Sequence, residues 1–219
     1  MKKLIMVNSH ERSGTHFLMN TIADNFGYSS DPFTDFDMPI NPWIPRNITA
    51  MLKELIQNRP EAVNNIVKSH YEGKFFKPVM KELLTNIHMF YIYRSNPNEL
   101  FKSLRKHFLN IPWSEGPKCK TSGALTLTEP YGGCMRYQFK QYPSMFFRWL
   151  NHKKSWMEDM KEHQRNIVYV KYEDLRDNFD ETVKCISGRI GIPILGGVPH
   201  KPDKGRSIQN GEYKKAVMA

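Results

Sequence analysis

Leu4-Ile5-Met6-Val7-Asn8-Ser9-His10-Glu11-Arg12-Ser13-Gly14-Thr15-His16, followed by Leu18, Ile22 and Phe26, is the stretch that decides the fold. Four apolar residues, ended by Asn8, read as a short buried strand. Leu18, Ile22 and Phe26 then fall on one face at helical spacing and predict a helix over about 15–26. A strand that passes through a polar, glycine-bearing loop into a helix is the opening of a βα unit. Backbone N–H groups at a helix N-terminus are unpaired and carry partial positive charge, so they suit phosphate or sulfate. Gly14 lets such an anion approach the backbone, and Arg12, Ser13 and Thr15 add donors. An ordinary βα turn capped by Ser or Thr has much the same composition, so the loop alone favours an anion site only modestly. It is not a nucleoside-triphosphate loop. With Gly14 as the second glycine of G-x-x-x-x-G-K-[ST], Ser9 stands at the first glycine and Thr15 at the lysine.

Outward from this unit the chain alternates strands and helices, which predicts an α/β fold with a parallel central sheet flanked by helices. Further strands are expected over 65–68, ending at Ser69-His70, and over 89–93 and 167–171. Helices are expected near 49–58, 77–84, 144–163 and 179–190. Another begins after Asn96, with Pro97 at the first helical position, Glu99 completing a capping box, and Leu100, Phe101, Leu104 and Phe108 as its buried stripe. Trp149 and Trp156 sit at helical spacing on the 144–163 segment and read as core. Residues 28–45 hold Pro32, Pro39, Pro42 and Pro45 and read as a long loop; 110–140 are broken by Gly and Pro. Long loops in a compact domain are usually functional, so 28–47 and 110–140 are the expected walls of a second substrate's pocket.

Lys and Arg number 32 against 22 Asp and Glu, a formal net charge of +10 over 219 residues. Such a surplus attracts anionic partners. It is spread along the chain and builds no run of like charge, which favours a small polyanion over nucleic acid. No apolar window approaches the ~18 residues needed to cross a membrane, and the run at 4–7 is too short for a signal-peptide core. One domain and a cytoplasmic place are therefore expected, without stable membrane insertion. Three cysteines, Cys119, Cys134 and Cys185, then default to free thiols, a Cys119–Cys134 bridge being the less favoured alternative.

Arg12-Ser13-Gly14-Thr15 resembles the 5′-phosphosulfate loop of sulfotransferases that use 3′-phosphoadenosine 5′-phosphosulfate (PAPS), with arginine in the place where cytosolic members carry lysine. Three further matches follow in order. Lys68-Ser69-His70 resembles the family's Lys-Thr-His segment, whose histidine is the catalytic base. Tyr91-Ile92-Tyr93-Arg94 with Ser103 on the next helix resembles the 3′-phosphate motif; Arg94 and Ser103 are nine positions apart where the cytosolic pattern has eight, and Ser95 reads as the insertion. Lys102 is the rival phosphate ligand. Trp149, His152 and Trp156 before Val168-Tyr169-Val170-Lys171-Tyr172-Glu173-Asp174 resemble a fourth segment, in which Tyr172 would touch the adenine. Arg206-Ser207 with Gly211-Glu212-Tyr213-Lys214 is similar to a degenerate form of the tail that closes over the nucleotide, with Lys201 and Lys204 as weaker candidates.

The resemblance implies a P-loop-like sulfotransferase architecture and transfer of a sulfuryl group from PAPS to a hydroxyl acceptor, releasing PAP, with no metal. It assigns Arg12, Ser13, Gly14, Thr15, His16, Arg94, Ser103, Tyr172 and Arg206 to the nucleotide, and His70, Lys68 and Arg12 to catalysis. The chemistry agrees: imidazole titrates near working pH and can take a hydroxyl proton, and cations stabilise charge on the leaving oxygen. A nucleotide-dependent kinase is the nearest enzymatic rival, disfavoured by the missing loop lysine. A non-catalytic basic nucleotide- or nucleic-acid-binding protein is the rival from another class; it predicts clustered Lys/Arg with interleaved aromatics. Acceptor identity and oligomeric state are not legible.

Overall fold

A computed structural model describes residues 3–37, 50, 65–110, 116–131 and 142–203. Strand β1 (Leu4–Ser9) is buried along its whole length, as a strand covered on both faces must be. Its side chains alternate between two cores. Leu4 and Met6 join Val67, Met89, Tyr91 and Trp156 on one face. Ile5 and Val7 join Leu18, Ile22, Phe26, Phe90, Ile92 and Val170 on the other.

After β1 come helix α1 (Thr15–Phe26), strand β2 (Ser29–Asp35), strand β3 (Asn65–Ser69), helix α2 (Met80–Asn86) and strand β4 (Ile87–Tyr93). Helices α3 (Pro97–Asn110), α4 (Ser122–Leu127) and α5 (Met145–Lys154) follow, then strand β5 (Ile167–Lys171) and helices α6 (Tyr172–Asp177) and α7 (Phe179–Ile190). The strands form one sheet in the order β2-β3-β1-β4-β5, with every pairing parallel. The chain leaves β1 toward one edge and returns toward the other, so β1 lies at the topological switch point. In open parallel sheets ligands bind beyond the carboxyl ends of the strands at that point.

The parallel sheet and its flanking helices are as expected. Four differences have physical reasons. Residues 29–35, expected as loop, form β2, an edge strand. Among the described residues β2 pairs on one side only, which tolerates Pro32, and the register shifts between Ser29 and Thr34. The helix expected over 144–163 stops at Lys154 and widens into a π turn (Ser155–Asp159), then a 3₁₀ segment (Lys161–Asn166). There Ser155 Oγ accepts from Lys74 N and Trp156 Nε1 donates to the Tyr71 carbonyl, tertiary bonds that helical periodicity does not encode. Within 110–140, residues 122–127 are helical, capped by Thr121 Oγ1 accepting from Ala124 N. Asn96 caps α3 through Asn98 N, but Glu99 pairs with Arg176 instead of closing a capping box.

Trp149 and Trp156 are buried, as core residues should be. The helix expected near 49–58 lies outside the described residues apart from residue 50. Cys119 and Cys185 are free thiols, and Cys134 lies outside the described residues. Among the described residues no helix is long and apolar enough to cross a membrane.

Candidate active site

The carboxyl ends of four neighbouring strands carry the candidate residues. Gly14 caps α1 at φ 98°, a left-handed conformation that suits glycine. A Cβ there would lie 2.4 Å from Tyr172 Cδ2, so the close approach of ring and loop also needs glycine. Arg12 has φ 63°, the one non-glycine residue with positive φ among those described. Such strain persists where surrounding contacts impose it, and it concentrates at ligand-holding loops.

Three side chains from three elements meet at this loop. Arg12 Nε donates to Ser103 Oγ on α3 at 3.2 Å. The Arg94 guanidinium, beyond β4, stands 4.1 Å from the centroid of the Tyr172 ring. Burial lowers the proton affinity of Arg12, and the neighbouring charge of Arg94 lowers it further. Neither arginine is paired with a carboxylate among the described residues. Ser13 Oγ, Arg94 Nε and His16 Nδ1 are buried without hydrogen-bond partners there. Two like charges, unsatisfied donors and a helix N-terminus together suit a ligand bearing more than one anionic group. The residues present therefore fit a bis-anionic nucleotide such as PAP.

His70, just beyond β3, is tied to the same loop through Ser9. Its Nδ1 lies 2.8 Å from the Ser9 carbonyl and 3.2 Å from Ser9 Oγ, which in turn bonds Thr15 Oγ1 at 2.6 Å. A carbonyl only accepts, so Nδ1 carries the proton and the lone pair sits on Nε2. The His70 N–H donates to Asp37 Oδ2, and its carbonyl accepts from His152 Nε2. Burial pulls the imidazole down to about 4, Lys68 pulling the same way and Glu11 opposing. At neutral pH it is an oriented, uncharged base.

Lys68 Nζ contacts Asp35 Oδ2 at 2.7 Å and lies 5.1 Å from the Phe33 ring centroid. His16 packs edge-on against the same Phe33. On the other side, Arg148 from α5 forks onto Glu11 through both terminal nitrogens, at 2.9 and 2.5 Å, and also donates to His10 Nε2. Burial raises the Glu11 carboxyl, but the charge and hydrogen bonds of Arg148, with His10 and His70 acting the same way, outweigh it and hold the group well below the usual range.

The structure thus brings Arg12, Ser13, Gly14, Thr15, Arg94, Ser103 and Tyr172 together, with His70 joined through Ser9. Lys68 and His16 lie on the β2 side. Ser103 faces Arg12 whereas Lys102 is exposed, which favours the serine of the two phosphate candidates. Lys201 caps the Arg176 carbonyl and packs on Phe179; Arg206 and Lys204 lie outside the described residues. Sequence reasoning missed Ser9, Glu11, Asp37 and Arg148. Ser9 and Glu11 stood in the quoted loop itself. Asp37 and Arg148 carry no local signal, because their partners are 33 and 137 positions away.

A family model for the sulfotransferase domain matches residues 2–215. A mouse sulfotransferase complexed with PAP shares the fold at a TM-score of 0.55 and 22% identity, over 87% of this chain and 59% of its own. Retinol dehydratase in complex with androsterone and PAP aligns at 0.53 and 18% identity, over 86% of this chain and 59% of its own. The same enzyme with retinol and PAP aligns at 0.50 and 17% identity. The chain therefore spans about three-fifths of the length of these structures. No curated protein matches it by sequence.

Proposed function

The chain belongs to the sulfotransferase family, and on that premise we propose that it transfers a sulfuryl group from PAPS to a hydroxyl acceptor and releases PAP. One observation carries the reading: Arg12 and Arg94, two cations without carboxylate partners among the described residues, converge beside a helix N-terminus to which a neutral histidine is anchored. A passive nucleotide binder would call for the cations but not for an oriented base, and a nucleoside-triphosphate kinase loop would carry lysine where Thr15 stands.

In this proposal Arg94 and Ser103 hold the 3′-phosphate, and Arg12, Ser13 and Thr15 with the first turn of α1 hold the 5′ side. Tyr172 is the ring assigned to the adenine. The acceptor oxygen forms its bond to sulfur in line with the breaking bond between sulfur and the phosphate oxygen. Its proton passes to His70 Nε2, and the electron pair leaves on the phosphate, where Arg12, Lys68 and the helix N-terminus stabilise the charge. The acceptor pocket is assigned to 28–47 and 110–140, and a cytoplasmic place without nucleic-acid partners belongs to the same proposal.

Incubation of the purified chain with sulfur-labelled PAPS and a panel of sugars, phenols, lipid alcohols and tyrosine peptides tests it. Label transfer that depends on acceptor supports the assignment. Binding of PAP with no transfer to any acceptor in the panel makes the chain a binder and overturns it.

A further inference from the structure

The end of β2 holds the Lys68-Ser69-His70 segment one residue after another. Asp35 is in register with Lys68 and takes its ammonium at 2.7 Å. Phe36 N donates to the Lys68 carbonyl at 2.9 Å. Asp37 then accepts from Ser69 Oγ at one carboxylate oxygen and from the His70 N–H at the other, both at 2.8 Å. Asp37 N closes the turn onto Asp35 Oδ1 at 3.2 Å. Both strands have ended by then, and the Asp37 side chain takes the His70 N–H where a ladder carbonyl would.

We propose that Asp35 and Asp37 are positioning residues for the transfer, holding Lys68 and His70 in line with the anion loop. The proposal rests on the sulfotransferase reading of those two residues. Two carboxylates two positions apart, with Asp37 only 6% exposed, are an unfavourable choice for capping a strand end. A neutral Ser or Asn would satisfy one donor without burying charge. Only a carboxylate accepts at both oxygens, and that fork fixes the His70 backbone while Ser9 fixes its ring. His70 is thereby held at its backbone N–H, its backbone carbonyl and its ring Nδ1, three contacts that together set the direction of Nε2. Burial, with Asp35 adding to it, raises the Asp37 carboxyl to about 7, which is the electrostatic cost of this arrangement.

The test is Asp37→Asn in the full chain, with three readouts: the His70 ring tautomer by ¹⁵N NMR, PAP affinity by calorimetry, and turnover of labelled PAPS with a panel acceptor that the wild type sulfates. The expected result is an Nδ1-protonated His70 in the wild type, loss of that single tautomer in Asp37→Asn, unchanged PAP affinity, and a fall in kcat of about 10²-fold, the usual effect of a misplaced reacting group. Should Asp37→Asn fail to fold, Ser69→Ala removes only the hydroxyl that steadies Asp37 and is expected to lower kcat several-fold at unchanged PAP affinity. An unaltered His70 tautomer with unaltered kcat overturns the proposal, as does a fall in kcat that tracks an equal loss of PAP affinity. A wild type that neither binds PAP nor transfers label overturns the sulfotransferase reading instead, while the tautomer still reports whether Asp37 orients His70.

Discussion

Arg94 lies against the ring of Tyr172, its guanidinium carbon 4.1 Å from the centroid, and that same ring fills the space a side chain at Gly14 would need. The loop after β1, the strand-end arginine and the tyrosine are one packed unit, so a change at Arg94 is read at the loop.

Arg94→Ala is expected to weaken PAP binding by on the order of 1.5–3 kcal/mol, the worth of a charge-assisted contact. Adenosine 5′-phosphosulfate, which lacks the 3′-phosphate, should lose far less. Calorimetry with both ligands decides this, and equal losses would show that Arg94 does not read the 3′-phosphate.

Arg148→Met is expected to destabilise the fold by about 3 kcal/mol, because it leaves the Glu11 carboxylate and His10 Nε2 without their shared donor. Glu11 is 16% exposed, which keeps the cost at the lower end for a broken buried pair. Adding Glu11→Gln should recover part of it. Denaturant unfolding of the single and double variants checks both signs; a single variant as stable as the wild type would make the fork inconsequential.

Acid should unfold the protein early. Burial pulls His10 and His16 down to about 3 and His70 and His152 down to about 4, against 6.5 for an exposed imidazole. The unfolded chain then binds protons that the folded chain refuses. The stability these groups contribute is complete above pH 6.5 and is lost as pH falls from there, to about 4 for His70 and His152 and to about 3 for His10 and His16. Asp37 works the other way over part of this range, since its raised carboxyl takes up a proton in the folded state below about 7. Four histidines against one carboxyl leave a net loss, each tenfold change in proton affinity being worth about 1.4 kcal/mol. Thermal melts should show Tm level from pH 7.5 to about 6.5 and falling from there to pH 4.5; a profile flat down to pH 4.5 would contradict the buried, neutral histidines.

How much of this was legible in the sequence depended on where the information lay. Strands β1, β4 and β5 are apolar runs because parallel strands are covered on both faces, so they stood out. Strand β2, Ser29-Ser30-Asp31-Pro32-Phe33-Thr34-Asp35, has a single aromatic and a proline, and as an edge strand it needs no more. The π turn after Lys154 comes from bonds to Lys74 and Tyr71, about 80 positions away in sequence. Within the site, the loop, the strand-end histidine and Arg94 were legible because they stand at the ends of elements. Asp37 and the Glu11–Arg148 fork were not, since only the folded sheet brings their partners near.

His70 carries the central claim, because it separates an enzyme from a binder. The most direct measurement is turnover of labelled PAPS by wild type and His70→Ala beside PAP affinity for both. PAP affinity should stay near the wild-type value while turnover falls roughly 10²–10⁴-fold, the contribution of a positioned base. Because the free enzyme's imidazole sits near 4, kcat/KM of the wild type should already be level at neutral pH and decline only in acid. Full turnover in His70→Ala, on an acceptor that the wild type sulfates, would contradict the account.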